Sequence, residues 1–591
     1  MASLSLFRER PLAPILSGLI SARVREYRPS LILCAAAFTM ACSLLLGGGT
    51  RGGFLSDAIL QLLAIPSLLI AISCLVESRS LQGGARRDVS RTLAFCGAIA
   101  LIPLIQLIPL PPSIWTRLPG RDEIATLIPL LGGDMPWLPI SVSAHSTWLS
   151  VLSLLPPLAV FLATIQLGYP ERRHLNLLII AIGVASVFVG LTQVAQGQSS
   201  PLRFFSITNP TEAVGFFANR NHFAALLYAV LVFAAVWAID AAFKIQTWSD
   251  IRTLASPRIA RLTATFLILI IVIAGEAIAR SRAGLALTMV GLLSAFALAF
   301  ADSRRLAGAK VSKFLFLAIG AAVLLSLQFA LYRILDRFGT DPLEQARGTF
   351  AHVTVAAAGA FMPFGSGSGT FVPVYQLFEK APDLIPNTYV NHAHDDFLEI
   401  WLETGIVGPV MICVFLVWWG IASFRFWRTP SAGISAFDTT LARAATVVIG
   451  LILAHSLVDY PLRTGAMMAV FAVCCAYLIE PVGATEKRPR IAPALPREAN
   501  PRSEPPAAVA RMLAGPGLAP VPRDETQPHP VLRSGGRWGE NIEWPDQWRN
   551  PQEKKEFRSA GFRSDQSGPD QAQPGGGSDP GRKNQADEEE Q

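Results

Sequence analysis

Charge is what this chain has least of. Only 16% of its 591 residues are Asp, Glu, Lys or Arg, against about 25% in ordinary soluble domains. The deficit gathers in long apolar runs, 51% of residues are hydrophobic and mean hydropathy is +0.41, so the chain reads as a polytopic membrane protein. Cysteine supplies no framework. Cys34, Cys42, Cys74, Cys96, Cys413, Cys474 and Cys475 all lie inside apolar runs without metal-ligand spacing, and read as small buried hydrophobes. There is no internal repeat. No cleavable leader is evident either: Arg8, Arg10, Arg23, Arg25 and Arg28 precede the apolar run 31–46, no Ala-x-Ala site follows it, and the segment reads as a retained first span. Nucleotide-binding loops are also missing. Gly365-Ser366-Gly367-Ser368-Gly369-Thr370-Phe371 fits neither GxGxxG nor Walker A and reads as a flexible turn, with backbone N–H groups suited to an anion.

What is there is a series of spans. Twelve stretches approach the ~20 apolar residues needed to cross the hydrocarbon core: 31–47, 58–76, 92–110, 148–167, 175–193, 222–243, 262–279, 283–300, 314–331, 403–423, 441–458 and 464–480. The net charge of +7 sits in short loops between them, where it orients the chain rather than binding nucleic acid. With the N-terminus in the cytoplasm, the inside loops 77–91, 168–174, 244–261, 301–313 and 424–440 are all basic. The alternation holds across all twelve spans and places both termini inside. The expected fold is all-α: a cytoplasmic segment 1–30, a transmembrane bundle 31–480 and, within it, a long extracytoplasmic loop 332–402. Residues 481–591 hold seventeen of the 43 prolines and too little apolar surface to fold, so they read as a disordered cytoplasmic tail. Trp538, Trp544 and Trp548 within it fit scattered exposed aromatics more simply than a docking motif.

A few charges fall where the positive-inside trend predicts none. Arg280 and Arg282 sit at the outer ends of two spans, Arg220 stands just before the sixth, and Arg347 lies early in the long loop. Glu276 lies one turn before Arg280 inside an apolar run, where ionisable groups are costly and usually functional. The simpler alternative is an i,i+4 Glu276–Arg280 pair that anchors a helix end. As function, the arginines form an anion clamp, because guanidinium is always charged and binds phosphate oxygens bidentately.

The long loop closes on Asn391-His392-Ala393-His394-Asp395-Asp396-Phe397-Leu398, followed by Glu399, Glu403 and Gly405. Near neutral pH a neutral His394 takes a proton from a hydroxyl, with Asp395, Asp396 or Glu399 available to orient the ring. His-x-His beside Asp is also a zinc or manganese pattern. No third well-spaced ligand is evident, and the base reading is preferred.

Together these pieces resemble the O-antigen ligase/O-antigen polymerase superfamily of bacterial membrane glycosyltransferases. The hallmark there is a His followed by Asn, Ser or Gln, nine residues, then Gly-x-x-Gly/Thr/Tyr. Here His394 is followed by Asp395, nine residues, Gly405 and Gly408. Ser281-Arg282-Ala283-Gly284 resembles the family's Ser-Arg-Gly/Ala element. Arg347 followed by Pro363–Phe371 resembles its loop element, and Asn219-Arg220-Asn221-His222-Phe223-Ala224 the segment before its sixth span. The resemblance covers roughly 90–480, best over 262–415.

The resemblance implies a metal-independent transferase at the outer face of the bacterial inner membrane; no cofactor is expected, and direct attack opposite the diphosphate predicts inversion at the anomeric carbon. The donor is a glycan on undecaprenyl diphosphate and the acceptor a hydroxyl. On that reading His394 is the base; Arg282, Arg220, Arg280 and Arg347 hold the diphosphate; and His392, Asp395, Asp396 and Glu276 support them. A ligase (acceptor lipid A–core), a polymerase joining lipid-linked repeats of O-antigen or exopolysaccharide, and a transferase to protein hydroxyls share these motifs. The ligase is taken first. A secondary transporter or a scaffold working through its cytoplasmic tail are the readings from other classes. Transporters tend to show repeats and charges near mid-bilayer, whereas here the charges cluster at the outer rim.

Overall fold

The computed structural model describes residues 12–78, 84–130, 132, 134–206, 208–244, 257–301, 342–384, 389–428 and 434–482. The expected span 314–331 and the tail from 483 onward lie outside them. The described chain is an all-α polytopic membrane protein. In order, its helices are α1 (Leu12–Leu46), α2 (Leu55–Ser78), α3 (Gly84–Gln106), α4 (Pro112–Trp115), α5 (Asp122–Leu130), α6 (Ala144–Ser153), α7 (Leu155–Thr164), α8 (Tyr169–Gln196) and α9 (Arg220–Phe243). There follow α10 (Pro257–Ala279), α11 (Arg282–Ala301), α12 (Pro342–Ala360), α13 (Phe371–Phe378), α14 (Asp396–Thr404), α15 (Val407–Arg428), α16 (Ala436–His455) and α17 (Gly465–Tyr477). The one sheet among the described residues pairs Pro109–Leu110 (β1) antiparallel with Leu138–Pro139 (β2).

Nine helical stretches among the described residues are long and apolar enough to cross a membrane. They match the expected spans apart from their ends. The third, within α3, ends at Gln106 rather than at 110, and the last is Gly465–Tyr477. The fourth, Ala144–Thr164, is two helices, with Pro156 and Pro157 in the first turn of the second, where proline lacks only a donor that has no partner anyway. The tenth starts at Val407, because Glu403 and Thr404 end a separate helix.

α9 is apolar on every side and 94% of its span is buried, so it is the central post of the bundle. Lipid provides no hydrophobic drive between helices, and close approach at small residues takes its place. Gly183 of α8 packs on Val230, Gly275 of α10 on Leu227 and Val187, and Gly284 of α11 on Ala224. A Cβ on Gly284 would stand 2.4 Å from that of Ala224. The first turns of α9 and α11, which carry Arg220 and Arg282, are thereby held side by side.

The long loop is folded where it is described. Phe350, Phe361, Phe371, Tyr375, Ala393 and Leu402 belong to a core of their own, formed by α12, α13, α14 and the irregular 390–393 segment. The glycine-rich stretch is part of that frame. Ser366 N–H donates to Leu402 O at 3.0 Å and Gly367 N–H to Glu403 O at 2.9 Å, while Ser368 N–H donates to Gln106 Oε1 at 2.9 Å. This corrects the anion-facing flexible turn: those donors tie α3 to the end of α14.

Candidate active site

Local chemistry explains where His394 stands. Asp395 is the N-cap of α14, its carboxylate accepting from Phe397 N at 2.9 Å and Leu398 N at 3.0 Å; Asp, Asn and Ser are all strong caps. Gly405, at φ +59°, closes the helix, and a Cβ there would stand 2.0 Å from Pro363 O. The nine residues between are α14 itself. His394 immediately precedes the cap with φ +54°, a left-handed conformation that costs a side-chain-bearing residue about 1 kcal/mol and is held here by its neighbours: Ala393 N–H donates to Glu399 Oε2 at 2.9 Å and Asp396 N–H to Ser456 O at 2.9 Å.

The carboxylate at the His394 ring is none of the three neighbours proposed from sequence. It is Asp459, on the turn after α16. His394 Nδ1 lies 3.2 Å from Asp459 Oδ1, with the His394 side chain 20% exposed and that of Asp459 1%. Asp459 Oδ1 also accepts from Tyr460 N at 3.0 Å, and Asn221 Nδ2 donates to its Oδ2. Burial alone would raise the Asp459 pKa. The contact with His394 and the nearby His222 and His455 rings outweigh it and hold the carboxyl well below its usual range. An anion at Nδ1 holds the proton there and leaves Nε2 as the basic atom. Tyr460 packs at the centre, its ring 4.8 Å from His222, 4.2 Å from His392 and 4.8 Å from His394. Phe350 of α12 covers the other side of the His394 ring at 5.8 Å.

Asp396 and Glu399 have a different task. With Glu403 they lie at i, i+3 and i+7 on one face of α14, and that face receives Arg463. The guanidinium is 2.8 Å from Glu403, 3.4 Å from Glu399 and 3.5 Å from Asp396. Burial is the largest influence on Asp396 and lifts its pKa to about 7 despite Arg463 and the hydrogen bond from Ser456. Glu399 is buried too, but Arg463 and His392 hold it low. His392 Nδ1 is 2.8 Å from Glu399 Oε1.

Arg220, Arg280 and Arg282 gather around the start of α9. Arg220 Nη1 pairs with Glu212 Oε1 at 2.8 Å. Glu212 is also within electrostatic reach of Arg280, so one carboxylate couples both cations. Burial pushes Glu212 up, and Thr211, Arg220 and Arg280 together bring it below its ordinary value. Arg282 opens α11, capped by Ser281, whose Oγ accepts from Gly284 N at 3.0 Å. Arg347 lies one turn before Phe350 on α12 and within electrostatic reach of His455. Glu276 is buried in the bundle, and its Oε1 accepts from Thr288 of α11 at 2.9 Å.

The sequence reading missed Asp459, Tyr460, Arg463 and Glu212. A signal existed for two of them: the short break 459–463 between the expected spans 441–458 and 464–480 puts an acid and a cation on the same side as Arg280. The comparison with curated proteins gave no match. Residues 258–413, which carry Arg280, Arg282, Arg347, His392 and His394 but not Arg220 or Asp459, match the O-antigen ligase family model.

Proposed function

We propose that this protein is a membrane glycosyltransferase of the O-antigen ligase type, working at the periplasmic face of the bacterial inner membrane with both termini in the cytoplasm. The family match supports a membrane glycosyltransferase and lipid-linked glycan substrates in general. The observation that carries the mechanism is the His394–Asp459 pair at 3.2 Å beside a rim of arginines. His394 Nε2 takes the proton of the acceptor hydroxyl while Asp459 steadies the imidazolium that forms. The acceptor oxygen attacks the anomeric carbon from the side opposite the diphosphate. The carbon–oxygen bond to phosphate breaks, and its electron pair leaves with undecaprenyl diphosphate. Arg220, Arg280, Arg282 and Arg347 balance the charge that develops there. The configuration inverts, and no step needs a metal or cofactor.

The acceptor is taken as lipid A–core; a polymerase or protein O-glycosylating enzyme would use the same groups on another hydroxyl. The test is cell-surface polysaccharide from a deletion strain carrying wild-type or His394→Ala protein at matched membrane levels. Loss of polymer or lipid-A-linked bands in the mutant supports transfer. Accumulated single lipid-linked repeats indicate a polymerase, and long lipid-linked chains a ligase. Full restoration by His394→Ala sinks the base assignment and brings the transporter and scaffold readings forward.

A further inference from the structure

The sequence marks the turn after α1 only as a link between two spans. In the structure it receives three segments of the site. Gly47 O accepts from Ala466 N at 2.9 Å, Gly48 O from Ala218 N at 3.0 Å, and Thr50 O from His392 Nε2 at 2.7 Å. These partners lie just after Arg463, just before Arg220 and just before His394. The approach is tight enough that a Cβ on Gly48 would stand 2.1 Å from Phe216 O.

His392 bridges this turn to α14. Its Nε2 faces the Thr50 carbonyl at 2.7 Å and its Nδ1 faces Glu399 Oε1 at 2.8 Å. A carbonyl and a carboxylate only accept, so both ring nitrogens carry protons and the ring is an imidazolium. A protonated Glu399 donating to Nδ1 is the alternative, and the surroundings of Glu399 oppose it: its Oε2 accepts from Ala393 N at 2.9 Å and Arg463 Nη1 stands 3.4 Å from its Oε1. The other groups facing the ring are Tyr460 at 4.2 Å, Phe371 of α13 at 6.5 Å, Asn391 beside it, and Arg463, Glu403 and His222 within electrostatic reach. Burial alone would lower the His392 pKa. The Glu399 charge and hydrogen bond outweigh both burial and Arg463, and the net direction is upward.

We propose that His392 is a positioning residue for the transfer reaction: as an imidazolium donating to Glu399 and to the Thr50 carbonyl, it locks the Asn391–His394 loop to the α1–α2 turn and so fixes His394 against Asp459. The inference rests on the transferase reading. His392 must be charged for the lock to hold, whereas His394 must be neutral to act as base. Transfer therefore has an alkaline limb that belongs to His392.

The test uses the full chain in lipid nanodiscs as wild type, His392→Gln and Glu399→Gln. Two readouts are followed from about pH 6 to about pH 9.5: initial rates of transfer from a lipid-linked glycan donor, and the thermal melting midpoint. The wild-type rate falls on the alkaline side as the ring loses its proton. Glu399→Gln moves that fall down by about one to two pH units, the size of a lost charge-assisted hydrogen bond. His392→Gln abolishes it and lowers kcat about tenfold with donor KM within about twofold. For melting, a group whose folded pKa is raised contributes stability that is complete below its unfolded value and is lost as pH rises through the folded one. The gap between wild type and His392→Gln is therefore widest near pH 6 and closes on the alkaline side. The same alkaline limb in both proteins, with a melting gap that ignores pH, overturns the proposal. If the wild type transfers no lipid-linked glycan, the transferase reading falls, and the melting comparison still decides whether His392 is charged.

Discussion

Asp459→Asn is the sharpest perturbation of the site, because it removes one charge and almost no volume. Asp459 Oδ1 stands 3.2 Å from His394 Nδ1, with the carboxylate 1% exposed. The amide oxygen can still accept from Tyr460 N or Asn221 Nδ2, which hold the carboxylate today. On the proposed mechanism, what disappears is the charge that steadies the imidazolium when Nε2 takes the acceptor proton. A close charge pair of this kind couples by about 1.5–3 kcal/mol, the lower part of the range such pairs show. At about 1.36 kcal/mol per decade of rate that is a loss of roughly 10- to 150-fold in kcat, and more if the ring adopts the wrong tautomer. Initial rates with a purified lipid-linked donor, at matched protein concentration, measure it. Because Asp459 acts through His394, the double variant Asp459→Asn/His394→Ala should be no slower than His394→Ala alone. A single variant within about threefold of wild type, or additive losses in the double, would refute the dyad.

Arg220→Gln should raise the donor KM by about 10- to 100-fold, with Arg220→Lys recovering only part of it, since an ammonium cannot reproduce the guanidinium fork that, on the proposed reading, would hold the donor diphosphate while paired with Glu212; donor titrations check this. Gly405→Ala places a side chain at φ +59° with Cβ 2.0 Å from Pro363 O, and should cost at least about 2 kcal/mol in a denaturation assay. Arg463→Met leaves Asp396, Glu399 and Glu403 without their shared guanidinium, a change of about 3–5 kcal/mol near neutral pH that acidification should partly restore. In the wild type, the Asp396 pKa is lifted to about 7, so its contribution is complete below the unfolded carboxylate range and lost as pH rises through about 7; Asp396→Asn should flatten that slope in a melting series. Asp395→Asn or Asp395→Ser should keep activity within about threefold, whereas Asp395→Ala should cost about 1 kcal/mol of stability by uncapping α14.

The spans were legible because each is a local property: an apolar run long enough to cross lipid declares itself without reference to the rest of the chain. The ends were less so, because a helix stops for reasons of packing and capping. Gln106 ends α3 where its side chain reaches Glu403 O and Ser368, contacts 262 residues or more away in sequence. His394 and the outer arginines stood out as polar exceptions in apolar company. Asp459 did not, since one acid in a short polar break is ordinary until the fold carries it to His394 Nδ1. Its partner is 65 residues distant, and no periodicity encodes such a pairing. The glycine-rich stretch misled for a related reason: glycine signals freedom in an isolated chain, and here it signals backbones too close for a Cβ.

The spacing between His394 and Gly405 has a mechanical meaning. A nine-residue helix is about 13.5 Å long, and α14 uses that length as a strut. One end is set by the Asp395 cap and the other by Gly405, which lies against Pro363 and Gly365. Between them the acids at i, i+3 and i+7 fix its rotation on Arg463, since only one face of the helix carries all three. Length and rotation together leave the residue before the cap a single orientation, and that residue is His394. The proposed transfer needs only an imidazole and a carboxylate, groups that any loop could offer. Holding them 3.2 Å apart with the histidine backbone in a left-handed turn requires the strut, its guanidinium clamp and the α1–α2 turn at once. The charged cluster around Arg463 is therefore the mounting of the proposed site, and the two histidines two residues apart have different tasks in it: His394 faces Asp459, while His392 bridges Glu399 and the Thr50 carbonyl so that the first stays in place.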